Sequence, residues 1–135
     1  MRGVNAVKSA VSMASCPDFL LHATLGRDLS RDIELKLRVG RIPADPKTGA
    51  PLILDIACLP VRLGGHILGY AFHLQLGLYR YVFIEDTKTR ALPETWQSVD
   101  MQICPYDSCP DAIRDSAKNM MDDFVNDFLK VNESK

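Results

Sequence analysis

The sequence predicts an α+β domain: an antiparallel sheet of three to four strands, in the order β-α-β-β-β-α, with two helices packed on one of its faces. Three observations carry that expectation. Alternating apolar runs over residues 52–58 and 70–78 flank Gly64 and Gly65, the pattern of a hairpin closed by a primed turn. Leu25, Leu29, Ile33 and Leu37 recur four apart, which is one stripe of a helix. Ile113, Ala117, Met120, Met121, Phe124, Phe128 and Val131 make a broader stripe of the same period near the C-terminus.

Residues 1–24 read as an N-terminal segment, either a truncated export signal or a short strand, and residues 25–135 as a single α+β domain. Met13, Ala14, Ser15 and Cys16 match the cleavage box of a bacterial lipoprotein, with Cys16 as the acylated residue. The apolar stretch before that box is shorter than the ~7–15 residues of an export signal. A frayed or short amphipathic N-terminus is the alternative. Phe19, Leu20, Leu21 and Ala23 supply a short first strand.

The first helix carries favourable i,i+4 pairs on its wet side, Asp32 with Lys36 and Glu34 with Arg38. Gly40 and Pro43 end it, and residues 41–51, with three prolines and Gly49, form a loop. In the hairpin, Leu52, Leu54, Ile56 and Cys58 share one face with Tyr70, Phe72, Leu74, Leu76 and Leu78. Tyr81 and Phe83 continue on odd numbers, so a bulge at Gly77 is expected. Residues 86–93 are polar and turn-like. The next strand spans residues 95–103, with Val99, Met101 and Ile103 expected on its core face and Trp96 on the opposite one. Ser108 and Asp111 match a capping box for the last helix, and Pro110 suits its first turn. Asp111 and Asp115 near its start and Lys130 near its end complement the helix dipole.

Composition limits the function. The 135 residues are 47% hydrophobic and 24% charged, ordinary globular values, and the formal net charge is -1. Lys and Arg are scattered, so neither nucleic-acid binding nor a polybasic membrane patch has an electrostatic footprint. No stretch reaches the ~18 apolar residues of a transmembrane span.

Residues 32–38 (Asp-Ile-Glu-Leu-Lys-Leu-Arg), the pair Thr95 and Trp96, and residues 122–132 (Asp-Asp-Phe-Val-Asn-Asp-Phe-Leu-Lys-Val-Asn) resemble a group of small exported bacterial proteins of uncharacterised function. The resemblance spans residues 25–132. It implies an envelope or periplasmic location and a similar fold, and it carries over no catalytic residues. The chain departs from the group in having Cys104 and Cys109 where a small-residue turn is usual. It also lacks a recognisable signal peptide, which leaves a cytoplasmic location as the alternative.

Cys104 and Cys109 are the sharpest local feature. Four residues lie between them, in a loop bracketed by Pro105 and Pro110, and a short disulfide is sterically feasible there. Free inert thiols and a redox pair are the other readings, although the spacing is not Cys-x-x-Cys. As the residue nearer a helix N-terminus, Cys109 is the more reactive thiol. Cys58 reads as a small buried hydrophobe, and a Cys16–Cys58 bridge would complete an even count, with connectivity open. His22, His66 and His73 share no metal-ligand spacing, so no metal or cofactor is expected. Asp122, Asp123 and Asp127 read as a solvated helix face. The Asn132-Glu133-Ser134 triplet is a chance match to a glycosylation acceptor. There is no Gly-x-Ser-x-Gly and no phosphate-cradling glycine loop.

The expectation is therefore a non-catalytic cell-envelope domain that binds a protein partner or itself. Its contact surface would be the outer sheet face, with His73, Gln75 and Trp96. The alternative is a thiol-based redox or small-molecule-binding protein that uses Cys104 and Cys109.

Overall fold

A computed structural model describes residues 3–16, 23–80, 82–84, 89–91 and 94–132. In chain order these form β1 (Val7–Ser15), α1 (Ala23–Val39), β2 (Ala50–Leu63), β3 (His66–Tyr79), the short strands β4 (Val82–Ile84) and β5 (Thr89–Ala91), β6 (Glu94–Pro105), one 3-10 turn (Tyr106–Ser108) and α2 (Cys109–Asn132). β1, β2, β3 and β6 make a four-stranded sheet in that spatial order, while β4 and β5 form an antiparallel ribbon of their own.

The hairpin of β2 and β3 is the centre of the sheet. Gly64 and Gly65 have φ of 57° and 82°, and positive φ at both central positions is what a type I′ turn demands. The register sets Leu54 opposite Leu76 and Ile56 opposite Leu74, so the apolar rows of both strands share a face. Leu52, Leu54, Ile56 and Cys58 are buried there with Tyr70, Phe72, Leu74, Leu76 and Leu78. α1 lays Leu25, Leu29, Ile33 and Leu37 on that face, and α2 adds Ile113, Ala117, Met120, Met121, Phe124 and Phe128. Each fully buried Leu or Phe contributes about 1.5–3 kcal/mol relative to exposure.

Several expectations change. The first strand is Val7–Ser15, with Phe19, Leu20 and Leu21 outside the described residues and Ala23 opening α1. β1 runs parallel to β2, with Ser9 beside Leu52 and Val11 beside Leu54. The sheet is thus mixed rather than wholly antiparallel. Gly77 is no bulge: it pairs regularly with Ile53 and Gln97. The register shift lies between Leu78 and Tyr79, where Thr95 is the additional residue and its hydroxyl donates to the Leu78 carbonyl at 3.2 Å. A Cβ at 77 would meet the Glu94 carboxylate, the end of a flexible side chain that can swing aside, so the position does not demand glycine.

The largest correction concerns β6. Directly opposed residues in an antiparallel pair point to one face, and Leu74, Leu76 and Leu78 face Asp100, Ser98 and Trp96. The even-numbered row of β6 therefore turns toward the helices. Val99, Met101 and Ile103 point outward and are 49%, 72% and 74% exposed.

The helices are tied to one another across their interface. Arg114 of α2 donates to Asp32 of α1 through Nε and Nη2 at 3.0 and 3.1 Å and lies 3.8 Å from Asp28. Lys36 pairs with Asp122 at 2.6 Å, so Asp32 and Lys36 bind the other helix rather than each other. α1 ends through Arg41, which takes the left-handed conformation (φ 57°), not through Gly40. Gly40 instead permits close helix packing, since a Cβ there would sit 2.6 Å from Val125 Cγ1. At α2, the Ser108 hydroxyl donates back to the Pro105 carbonyl at 3.5 Å, so the capping box is replaced by the 3-10 turn.

Candidate interaction surface

With both helices on one side, the opposite side of the sheet carries a continuous row-by-row surface. The register builds three rows across β2, β3 and β6: Leu59, Ala71 and Ile103; Ala57, His73 and Met101; Asp55, Gln75 and Val99. The first two rows are apolar apart from His73, and Leu59 is 70% exposed. The third leads into a polar cluster. Gln75 Nε2 donates to Glu94 Oε1 at 3.1 Å and to Gln97 Oε1 at 3.3 Å. Tyr79 closes that end, its hydroxyl pKa pushed up by partial burial and then by the charges of Glu94 and Asp55. One face thus offers an apolar half and a hydrogen-bonding half, each several side chains wide.

His73 and Gln75 lie together on this face, but Trp96 does not. Its indole packs edge-on against Phe124 with ring centroids 5.1 Å apart, and its Nε1 donates to Asp127 at 3.0 Å. Trp96 is half-buried on the helix side and belongs to the core. Val99, Met101 and Ile103 replace it on the outer surface. The signal for this was present in the sequence. Cys104 shares the parity of Trp96, and a bridge from Cys104 to Cys109 at the start of a covering helix requires that row to face the helices.

Cys104 and Cys109 form a disulfide with Cα atoms 5.1 Å apart, and both residues are buried, at 2% and 0% exposure. Cys16 and Cys58 form the other, with Cα atoms 4.8 Å apart. Cys58 is therefore a bridge partner rather than a lone hydrophobe, and none of the cysteines is free. Bonds enclosed in this way do not favour a thiol-exchange role, since an attacking thiolate needs access to sulfur.

The other sequence candidates disperse. His66 is exposed at the hairpin tip opposite Leu63, and His22 lies outside the described residues. Among the described residues no three His, Cys, Asp or Glu side chains converge as metal ligands. Asp122 and Asp127 are engaged by Lys36 and Trp96. Asp100 accepts from Ser116 and, at 2.7 Å, from Gln102. No helix among the described residues is long and apolar enough to cross a membrane.

The fold and surface define a small α+β domain whose mixed sheet carries both helices on one side, with the other side exposed among the described residues. No protein-family model matches the chain, and no curated protein matches it. Solved structures do. One is rare lipoprotein B from Shewanella oneidensis, at 10% identity over 91% of this chain and 94% of that one, with a TM-score of 0.43. Another is a dodecamer of PelC from Paraburkholderia phytofirmans, at 14% identity over 90% and 86%, with a TM-score of 0.40. A third is a minor lipoprotein from Acinetobacter baumannii, at 9% identity over 91% and 89%, with a TM-score of 0.34.

Proposed function

We propose that this chain is a non-catalytic binding domain of the bacterial cell envelope, acting on a protein surface through the outer face of its sheet. One observation carries the reading: the exposed row of Val99, Met101 and Ile103 beside Leu59, on a face that neither helix covers. Exposed apolar side chains grouped on one face, next to a hydrogen-bonding cluster, have the make-up of a protein-contact surface. The partner is a protein carrying an apolar patch, a second copy of this chain included. The envelope part rests on the disulfides, because paired cysteines persist in oxidising compartments and are kept reduced in the cytosol. The resemblance over residues 25–132 supports the same location.

The test places a photo-crosslinking amino acid at His73 in the otherwise native chain, expressed in a bacterial host and irradiated in intact cells. A discrete adduct that disappears when Met101→Glu is added supports the reading. Labelling that survives Met101→Glu, or that matches labelling from Asp115 on the solvent side of α2, overturns it. Fractionation of the same cells decides the location: a cytosolic protein with alkylatable thiols defeats the envelope assignment.

A further inference from the structure

The far edge of the sheet, formed by β1, presents a different kind of site. Alternate residues of a strand aim their backbone N–H and C=O to opposite sides. The Ala6 carbonyl accepts from Ala50 N at 3.0 Å, so even-numbered residues of β1 bond to β2. Val7 points the other way: its N–H donates to the Pro43 carbonyl and its carbonyl accepts from Asp45 N, both at 3.0 Å. The chain's own loop thereby sits on the first outward rung as a parallel bridge between Val7 and Ala44. It then leaves. Asp45 Oδ1 accepts from Lys47 N and Thr48 N, and Pro46 supplies no N–H, so the loop folds back after one rung.

The next outward rungs are Ser9 and Val11, and neither makes an outward hydrogen bond among the described residues. Beside Ser9 lies a cavity of about 510 Å³ between β1, α1 and the loop, lined by Val7, Ser9, Leu37, Arg38, Ile42 and Asp45 among others. An open ladder and a cavity beside its first rungs are two separate observations that fit the same occupant. Donors and acceptors repeating every second residue along one line match an extended backbone and no compact ligand. The space above Leu37 and Ile42 suits side chains projecting inward from such a backbone.

We infer that the outward edge of β1 is a docking site for an extended peptide segment of another protein, added as a further strand where the loop at Ala44 leaves off. This goes beyond the outer-face reading: β1 and β6 are opposite edges of the sheet, so either proposal can fail alone.

The probe is a random dodecapeptide library selected against the oxidised, full-length chain, followed by anisotropy with the enriched peptides. Peptides should bind, and Ser9→Pro should weaken them about 10-fold by deleting one outward donor. Ser9→Pro leaves the bonds to β2 intact, and proline is tolerated on an outward edge position. Ala10→Pro, one residue on, removes an inward donor and should unfold the edge. N-methylation of the peptide should weaken binding at every second position only. Ser9 and Val11 amides should gain exchange protection when peptide is added, a readout independent of any variant. Failure to enrich peptides, equal binding by Ser9→Pro, indifference to N-methylation, or loss of binding with Met101→Glu would overturn the assignment.

Discussion

Replacing Phe124 with Ala separates the two faces of β6 most sharply. Phe124 is fully buried, meets Trp96 edge-on and lies 5.8 Å from Phe128 between ring centroids. Its removal forfeits the transfer energy of the ring, the aromatic contacts and the close packing around them, about 3–5 kcal/mol. For a chain of this size that is roughly 10–20 °C in Tm. Met101→Glu places a charge on a residue that is 72% exposed on the other face and should change stability by about 0.5 kcal/mol or less. Urea unfolding followed by fluorescence measures both, because Trp96 is the chain's single Trp. Native emission should also shift red in Phe124→Ala, as water reaches the indole. A Met101→Glu cost above about 2 kcal/mol, with Phe124→Ala nearly neutral, would mean that the helices cover the odd-numbered row. The outer surface would then be misassigned.

Three further outcomes follow from named contacts. Gly40→Ala should cost about 1–3 kcal/mol by pressing on Val125, and Val125→Ala in the same chain should restore most of it, measured by thermal melts of the single and double variants. Asp32→Ala should cost about 1 kcal/mol by releasing Arg114, whose pKa is raised first by its hydrogen bond to Asp32, and the loss should shrink in high salt in a denaturation series. Asp45 has its carboxyl pKa lowered below 3.8 by the Thr48 hydroxyl and the Lys47 and Thr48 amides. A depressed folded pKa means that the hold on this loop is complete above the ordinary carboxylate range and is lost as pH falls through the lower folded value. Thr48 and Lys47 amide shifts, followed by NMR, should move with a midpoint under 3.8, and a midpoint above it would refute the turn.

The hairpin and both helices were legible because their periodicity is one-sided. Leu54 alternates with Asp55, and Leu29 and Ile33 recur against a charged background, so only one burial pattern fits. β6 failed that test for a physical reason: it alternates two half-apolar rows. Val99, Met101 and Ile103 outweigh Trp96, Ser98 and Asp100 in hydrophobicity, yet the register imposed by β3 and the Cys104 bridge decides which row is covered. β1 was hidden differently. The row of side chains it turns toward the core holds Val7, Ser9, Val11 and Met13, and the serine blurs the alternation; its partner lies 43 residues away, at Ala50 for Val7, beyond any local signal. His73 and Gln75 were placed together because β3 is regular throughout. The groove at β1 was invisible, because it depends on which way unpaired backbone groups point after a long-range parallel pairing.

The disulfides fall on the elements that need them. β1 and β6 are the edge strands, each paired with a single neighbouring strand apart from the one loop bridge at Val7, and such strands open first in local fluctuations. Cys16 follows the end of β1 and ties it to β2, while Cys104 near the end of β6 ties it to α2. In the chain-entropy model the bridge of separation 42 contributes about 4 kcal/mol and that of separation 5 about 2 kcal/mol. Reduction should therefore loosen the edges before the hairpin: amides of β1 and β6 should exchange faster while those of β2 and β3 keep their protection. Cys16→Ser with Cys58→Ser should cost more than Cys104→Ser with Cys109→Ser. If reduction instead raised exchange evenly over all four strands, the bridges would be acting on global stability alone. The edges and the outer row of β6 would then have no covalent support of their own, and β1 would be too mobile to offer a fixed ladder to an incoming strand.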